Sequence, residues 1–86
     1  MSTYEVTFEI ETAKSLTRIP SPDRERITRR IDRLAEDPRP SGCKKLEGMV
    51  DAYRVRQGNY RIVYTIDDVL TVVNVTRIGN RKDVYR

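Results

Sequence analysis

The feature that most constrains the fold is the segment 53–86, which predicts consecutive β-strands joined by two-residue turns. Apolar and polar residues alternate through YRVRQ and YRIVY, which is the pattern of half-buried strands. Gly58-Asn59 lies between these stretches and is a good hairpin signal, and Asp67-Asp68 is a weaker one. We therefore expect three consecutive antiparallel strands, the third of which ends at Gly79-Asn80.

The first hairpin fixes which arginines share a surface. A two-residue turn at Gly58-Asn59 places Arg56 opposite Arg61 and Arg54 opposite Val63, so the period of two brings the three arginines to one face. Like charges opposed across a sheet lower its stability, and such conflicts tend to mark functional sites. The residues expected on the other, core-facing side are Tyr53, Val55, Tyr60, Ile62 and Tyr64.

The second turn extends this register to the third strand. Taken as a two-residue turn, Asp67-Asp68 places Arg61 opposite Asn74 and Val63 opposite Val72. The cationic face is then a patch at one end of the sheet.

The final segment of the chain adds candidate residues to the patch. If it is extended, Arg81, Asp83 and Tyr85 point the same way. A guanidinium group binds phosphate through two donors, and a tyrosine ring stacks on a base, so the set fits single-stranded RNA. The alternative gives each arginine a solvated surface role and makes Tyr85 a packed aromatic residue.

The N-terminal half predicts one strand and two helices. Residues 4–11 alternate as a half-buried strand, and a short helix is expected over 12–18. Ser21-Pro22-Asp23 is typical of a capped helix start, and Asp37-Pro38 ends that second helix near Glu36. The inward-facing residues expected in these elements are Tyr4, Val6, Phe8 and Ile10; Ala13, Leu16 and Ile19; and Ile27, Ile31, Leu34 and Ala35.

Basic residues outside the sheet have a simpler interpretation. The arginines of the second helix are expected to be solvated and paired with Asp23, Glu25, Asp32 and Glu36, although an RNA or protein contact is the alternative. Residues 38–51 are expected to form a loop. Its Lys44 and Lys45 are candidates for RNA contact, but a surface loop anchored by Leu46 is favoured.

The charge balance and composition limit the class of protein. Segment 54–86 carries seven basic and three acidic residues, whereas 1–53 carries ten of each, so the net charge of +4 belongs to the sheet segment. A local basic surface is typical of nucleic-acid binders, and a solubilising surface explains the charge equally well. With 86 residues we expect a single domain spanning 1–86.

Cysteine and apolar content indicate the compartment. Cys43 is the single cysteine and no histidine is present, which rules out an internal disulfide and a Cys/His metal site. No signal peptide is visible, and the longest mostly apolar stretch, Val69 to Val75, is too short to span a bilayer. We expect a cytoplasmic protein with no cofactor and no membrane partner.

Three motifs resemble the RelE/ParE superfamily of bacterial toxins, and its RelE branch most closely. They are YRVRQGNYRIVY at 53–64, IGNRKDVYR at 78–86 and the upstream link DPRPSGCKKLEG at 37–48. The resemblance implies an α+β fold with two N-terminal helices packed on a mostly antiparallel four- to five-stranded sheet. It also implies ribosome-dependent cleavage of mRNA by a type II toxin that a cognate RelB-like antitoxin inhibits. Operator DNA is then a partner only through the antitoxin complex.

The same resemblance assigns candidate roles to residues. Active-site positions of RelE-type proteins match Arg54, Arg56, Arg61, Arg81 and Tyr85, which is the patch found from the register. Other basic residues of the link and sheet are candidate RNA contacts, namely Lys44, Lys45, Arg77, Lys82 and Arg86. The best-known RelE pattern has lysines where Arg54 and Arg56 stand here, so a general base at Arg56 is not expected. The alternatives are a ParE-like inhibitor of DNA gyrase and a non-catalytic RNA- or DNA-binding module.

Overall fold

The computed structural model describes residues 3–80, which form a five-stranded mixed sheet and two helices. The strand order is β1-β5-β4-β3-β2, with β1 parallel to β5 and all other neighbours antiparallel. The predicted α+β fold is confirmed. The elements are β1 (Glu5–Phe8), α1 (Ile10–Arg18), α2 (Asp23–Glu36), β2 (Lys44–Lys45), β3 (Ala52–Gln57), β4 (Tyr60–Asp67) and β5 (Val72–Asn80).

The apolar stripe of α2 packs on one face of the sheet. Ile27, Ile31 and Leu34 are almost fully buried, as predicted, and Ala35 is half-buried. Each fully buried aliphatic side chain contributes about 1.5–3 kcal/mol. The sheet residues that complete this core are Tyr53, Val55, Ile62, Tyr64, Ile66, Val73, Val75 and Ile78. The helix begins one residue later than predicted, because Pro22 is the N-cap residue and Asp23 the first helical residue. The predicted cap by the Ser21 hydroxyl was wrong, since no side chain caps the helix.

The N-terminal strand is shorter than the sequence predicts. β1 ends at Phe8, and the amide of Ala13 donates to the carbonyl of Glu9 (2.9 Å), which begins α1. The alternation of side chains ends where the helix begins, so Ile10 is 75% exposed instead of facing the core. The predicted inward positions of Phe8, Ile10 and Ala13 were wrong, whereas Leu16 and Ile19 do contact the core.

The predicted loop after α2 contains the short edge strand β2, which pairs with β3. Tyr64 of β4 fixes the start of this link, because its fully buried hydroxyl donates to the carbonyl of Pro38 (2.7 Å). Burial raises the pKa of Tyr64 above its ordinary value, so the hydroxyl stays protonated and keeps donating. The Tyr64 ring stacks on Tyr53 of β3 with the centroids 6.1 Å apart.

A cluster of four polar side chains, the Arg39 clasp, joins the link to the far end of the sheet. The Arg39 guanidinium donates two bonds to Asp68, at 2.8 and 3.2 Å, and a third to the Tyr53 hydroxyl at 3.2 Å. The Tyr4 hydroxyl also donates to Asp68, at 2.7 Å. The bonds from Arg39 and Tyr4 lower the pKa of Asp68, since both favour the carboxylate.

No helix within residues 3–80 has the length and apolarity needed to cross a membrane.

The Arg39 clasp makes stability depend on pH through Asp68. Its pKa in the folded protein lies below the ordinary 3.8, so its stabilising contribution is complete above that value and is lost as the pH falls below it. We expect Asp68→Asn to unfold at lower urea than the wild type at pH 7, and the difference to close near pH 2. Asp32→Asn, which removes an exposed carboxylate on α2, is the control. A gap between Asp68→Asn and wild type that is equal at both pH values contradicts the expectation.

Candidate nucleic-acid interface

The β3–β4 hairpin has the register that its sequence predicts. Arg56 pairs with Arg61 and Arg54 pairs with Val63, across the turn at Gly58-Asn59. Neighbouring residues Tyr53, Val55, Ile62 and Tyr64 belong to the core beneath the helices. Because side chains alternate along a strand, Arg54, Arg56 and Arg61 lie on the face turned away from the helices.

These three arginines differ in exposure. Arg54 is 8% exposed and Arg61 is 5% exposed, whereas Arg56 is open to solvent. Arg54 and Arg61 are diagonal neighbours on the hairpin, a relation that places α-carbons about 7–8 Å apart. Both take part in polar or electrostatic contacts. Both residues are nearly buried, so packing limits the rotamers of the two side chains.

The predicted register between β4 and β5 was wrong. Arg61 lies opposite Gly79 and Val63 lies opposite Arg77, instead of Asn74 and Val72. The turn at Asp67-Asp68 is longer than two residues. Asp67 is the last residue of β4. Its carboxylate accepts hydrogen bonds from the backbone amides of Val69, at 3.0 Å, and Leu70, at 2.9 Å. An Asx-type turn of this kind delays the start of β5 to Val72.

A β-bulge at Thr76 changes the face of every later residue in β5. Val63 and Tyr64 of β4 pair with Arg77 and Val75, so Thr76 is the extra residue. Val75 is fully buried before the bulge and Ile78 is 7% exposed after it, although they are an odd number of residues apart. The bulge therefore turns Arg77 onto the face of Arg54 and Arg61 and keeps Ile78 in the core.

Helix α1 holds this bulge in place. The Thr12 hydroxyl is almost buried and donates to the carbonyl of Thr76 at 2.6 Å. The Thr76 hydroxyl in turn donates to the carbonyl of Val63 at 3.2 Å. A carbonyl that the bulge removes from the regular ladder thus has a partner from outside the sheet. The sequence carries no local signal for this contact, since Thr12 and Thr76 are 64 residues apart.

The pairings arrange the basic residues in two rows that run across the strands. The Arg56–Gly79 row consists of Arg56, Arg61 and Gly79 on three adjacent strands. The Lys44–Arg77 row consists of Lys44, Arg54, Val63 and Arg77 on four adjacent strands. The next row along the strands, Ala52, Thr65 and Asn74, is uncharged. Within residues 3–80 the positive charge is therefore a patch at one end of this face, which we call the cationic face.

The two lysines of β2 are separated by the sheet. Lys44 pairs with Arg54 and lies on the cationic face, whereas Lys45 pairs with Tyr53 and lies on the helix side. Both side chains are exposed. Lys44 therefore lies on the same face as Arg54, and Lys45 lies on the opposite face. The sequence does not show this difference, because a strand of two residues is too short for an alternating pattern. The predicted contacts of the two lysines with RNA remain predictions.

Four predicted residues, Arg81, Lys82, Tyr85 and Arg86, lie outside the described residues 3–80. Their predicted roles, and the shared direction of Arg81 and Tyr85, remain predictions. No group of three or more potential metal ligands occurs in the described part of the chain.

The chemistry of the cationic face follows from its guanidinium groups. Arginine keeps its proton at any pH that a protein tolerates, so these side chains bind and stabilise anions and do not act as general bases. The exposed Arg56 and Arg77 flank the nearly buried Arg54 and Arg61, so a polyanion reaches this face first at the two flanking arginines. A single-stranded nucleic acid fits this arrangement, because phosphates bind guanidinium groups through two donors.

The chain is similar to known toxins over most of its length. Residues 6–85 match the family described as "ParE toxin of type II toxin-antitoxin system, parDE". A protein of Escherichia coli (strain K12) named "mRNA interferase toxin RelE" is 33% identical over 86 residues, which cover 95% of this chain and 90% of that protein.

Solved structures share the fold. A chain of the archaeal RelE–RelB complex from Pyrococcus horikoshii OT3 matches with a TM-score of 0.83 and 29% identity, over 94% of this chain and 98% of that one. The intact E. coli RelBE toxin–antitoxin complex contains a match with a TM-score of 0.80 and 30% identity, over 90% and 95% of the two chains.

The bond from Thr12 to the bulge can be tested through stability. Thr12→Val keeps the shape of the side chain but leaves the Thr76 carbonyl without this donor, which costs about 1–3 kcal/mol for a buried acceptor. The control is Thr17→Val on the same helix, where the exposed hydroxyl bonds to its own helix at Lys14. Urea denaturation of both variants measures the difference. Equal stability of the two contradicts the expected role of Thr12.

Proposed function

This chain belongs to the RelE/ParE superfamily of type II toxins, and from that premise we propose that it is an mRNA interferase that cleaves mRNA on the ribosome. The observation that carries the proposal is the cationic face, where Arg54 and Arg61 are nearly buried beside the exposed Arg56. The E. coli relative named as an mRNA interferase supports the same activity.

The proposed reaction is an internal transfer at phosphorus that requires no metal ion. The 2′-oxygen of a ribose loses its proton to water or a solvent base and forms a bond to the adjacent phosphorus. The bond from phosphorus to the 5′-oxygen breaks, and that oxygen takes up a proton. The products are a 2′,3′-cyclic phosphate and a 5′-hydroxyl end. Negative charge grows on the phosphate oxygens during the reaction, so fixed cations stabilise the transition state.

The described residues divide this work by position. Arg54 and Arg61 clamp the phosphate and stabilise its developing charge, because they are diagonal neighbours held by burial. Arg56 lies directly opposite Arg61 and orients the 2′-oxygen, whose ionisation a nearby cation favours. Arg81 is proposed to stabilise the charge on the leaving oxygen, and Tyr85 to position a base or assist proton transfer.

Dependence on the ribosome follows from the lack of a good general base among the proposed catalytic side chains. The chain contains no histidine, and arginines cannot remove the 2′-proton. Cleavage of free RNA is therefore weak. The ribosome supplies what is missing by aligning mRNA for in-line attack, and orientation alone contributes about 7–11 kcal/mol in favourable cases. Such a toxin acts in the cytoplasm.

A RelB-like antitoxin is the proposed protein partner, since the solved relatives include RelE–RelB complexes. An acidic antitoxin segment complements the cationic face. Operator DNA is reached only through that complex. Co-expression of the reading frame next to the toxin gene is expected to restore growth that the toxin alone arrests. Continued arrest, together with no co-purification of the two proteins, contradicts the proposed partner.

A ParE-like inhibitor of DNA gyrase is the second candidate, because the matching family is described by its ParE toxins. Such an inhibitor shares the fold but has no need for arginines in two cross-strand rows. It predicts growth arrest with DNA-damage signalling and intact mRNA. A non-catalytic RNA- or DNA-binding module predicts salt-dependent binding without cleavage, with or without ribosomes.

Substitution of the clamp tests the proposed function directly. We expect Arg54→Ala and Arg61→Ala each to lower cleavage of ribosome-bound mRNA about 10²–10³-fold, the loss typical of one electrostatic contact to a transition state. Arg56→Ala should also lower cleavage, and its exposure avoids a folding defect. The control is Arg29→Ala, which removes an exposed arginine of α2 that pairs with Glu25 at 4.0 Å.

Primer extension maps the mRNA ends in this test, and thermal denaturation of each variant shows that it folds. Unchanged cleavage by both Arg54→Ala and Arg61→Ala removes the cationic face from the mechanism. Comparable cleavage of free and ribosome-bound mRNA by the wild type contradicts the proposed dependence on the ribosome.

A further inference from the structure

The Lys44–Arg77 row reaches across four strands of the sheet. Neighbouring strands are about 4.8 Å apart, so three spacings separate the backbones of Lys44 and Arg77 by about 14 Å. Lys44 and Arg77 at the two ends are exposed, and Arg54 between them is nearly buried. The positive charge thus continues past the arginine hairpin to the edge strand β2.

The strand pairings determine the direction in which the basic residues extend over the sheet. Within residues 3–80 and away from the Gly58-Asn59 turn, the charge ends after two rows, about 7 Å apart, because the next residues are Ala52, Thr65 and Asn74. Across the strands it continues from β5 to β2. Among the described residues, a polyanion therefore meets more cations if its backbone crosses the strands than if it follows them.

We propose that RNA crosses the β-strands on this face, and that Lys44 holds a phosphate beside the one that Arg54 and Arg61 clamp. The proposal rests on the proposed function and adds the path of the substrate. About 14 Å corresponds to roughly four stacked nucleotides at about 3.4 Å each, so Lys44 and Arg77 contact the strand on opposite sides of the cleaved bond. Proteins that bind single strands track the backbone with such positive grooves.

Lys44 suits a contact with the phosphate backbone. Its ammonium group is a compact charge on a flexible stem, and it follows a phosphate without demanding a fixed geometry. An exposed lysine on an edge strand also has a simpler explanation, since edge lysines prevent sheets from pairing with one another. That role applies equally to Lys45, which is exposed on the same strand but faces the other side. The two lysines therefore form a matched pair that separates the explanations.

The test compares Lys44→Ala with Lys45→Ala in the intact protein. The probe is a 12-nucleotide RNA with every 2′-oxygen methylated, which cannot be cleaved because the nucleophile is blocked. Fluorescence anisotropy between 50 and 300 mM salt gives the affinity and its salt dependence. Each phosphate contact on a single strand contributes about 0.7 to the slope of log K against log salt, which is about fivefold in affinity at 0.1 M salt.

We expect Lys44→Ala to lose about fivefold in affinity and about 0.7 in slope, and Lys45→Ala to change affinity less than twofold. Thr65→Lys, which places a cation in the uncharged row, tests the direction and should not tighten binding. Equal losses for the two lysines, no loss for Lys44→Ala, tighter binding by Thr65→Lys, or no measurable binding by the wild type at 50 mM salt each overturn the proposal.

A second assay, which measures cleavage of ribosome-bound mRNA, distinguishes failure of the proposed RNA path from failure of the proposed function. If the wild type fails to cleave but Lys44 still contributes to binding, the path across the strands stands and the nuclease proposal fails. If the wild type cleaves and Lys44→Ala matches Lys45→Ala in both assays, the path fails and the nuclease proposal stands.

Discussion

The irregular pairing of β4 with β5 at Thr76 is the constraint on which both faces of the sheet depend. A regular strand that buries Val75 would also point Arg77 into the core and Ile78 to the outside. An unpaired charge in an apolar core costs several kcal/mol, so one extra residue decides whether this sequence packs at all. The hydrogen bond from Thr12 gives the displaced carbonyl a partner. Core packing and the cationic face thus have a common origin.

The two faces of the sheet carry unequal shares of the stability. Tyr64 and the α2 residues Ile27 and Ile31 are almost completely buried on one side. On the other side, Arg56 opposes Arg61 directly, an arrangement that a sheet selected for stability alone would avoid. The well-packed helix side allows the chain to keep this unfavourable pair. The repulsion between Arg56 and Arg61 is confined to the hairpin, at the position where a bound phosphate would neutralise part of the charge.

Local signals in the sequence predicted the two helices, the β-strands and the arginine hairpin. The family resemblance implied how they assemble into the fold, and long-range contacts set the remainder. Gly58-Asn59 specifies its turn through its own backbone preferences, so the pairing of Arg56 with Arg61 was predicted correctly. Asp67-Asp68 has the same spacing, but the Asp67 carboxylate accepts hydrogen bonds that build a longer turn. The β-bulge at Thr76 contains no glycine, so no turn-forming residue marks it in the sequence. Lys44 belongs to the cationic face because it pairs with Arg54, which is ten residues away in the sequence. The number of basic residues is evident from the sequence, but the rows that they form across the strands follow only from the strand pairings.

A face built from guanidinium groups limits how the proposed enzyme gains its rate. Arg54, Arg56 and Arg61 stay charged throughout the physiological range, so none of them shuttles a proton. What they provide is a fixed field at the phosphate and a defined position for it, both of which act without general-base catalysis. Positioning improves as contacts are added along the strand, and the row that ends at Lys44 adds one without altering the reacting groups. A site of this kind is effective on RNA that is already aligned and weak on RNA that is free, which makes the ribosome part of the catalyst.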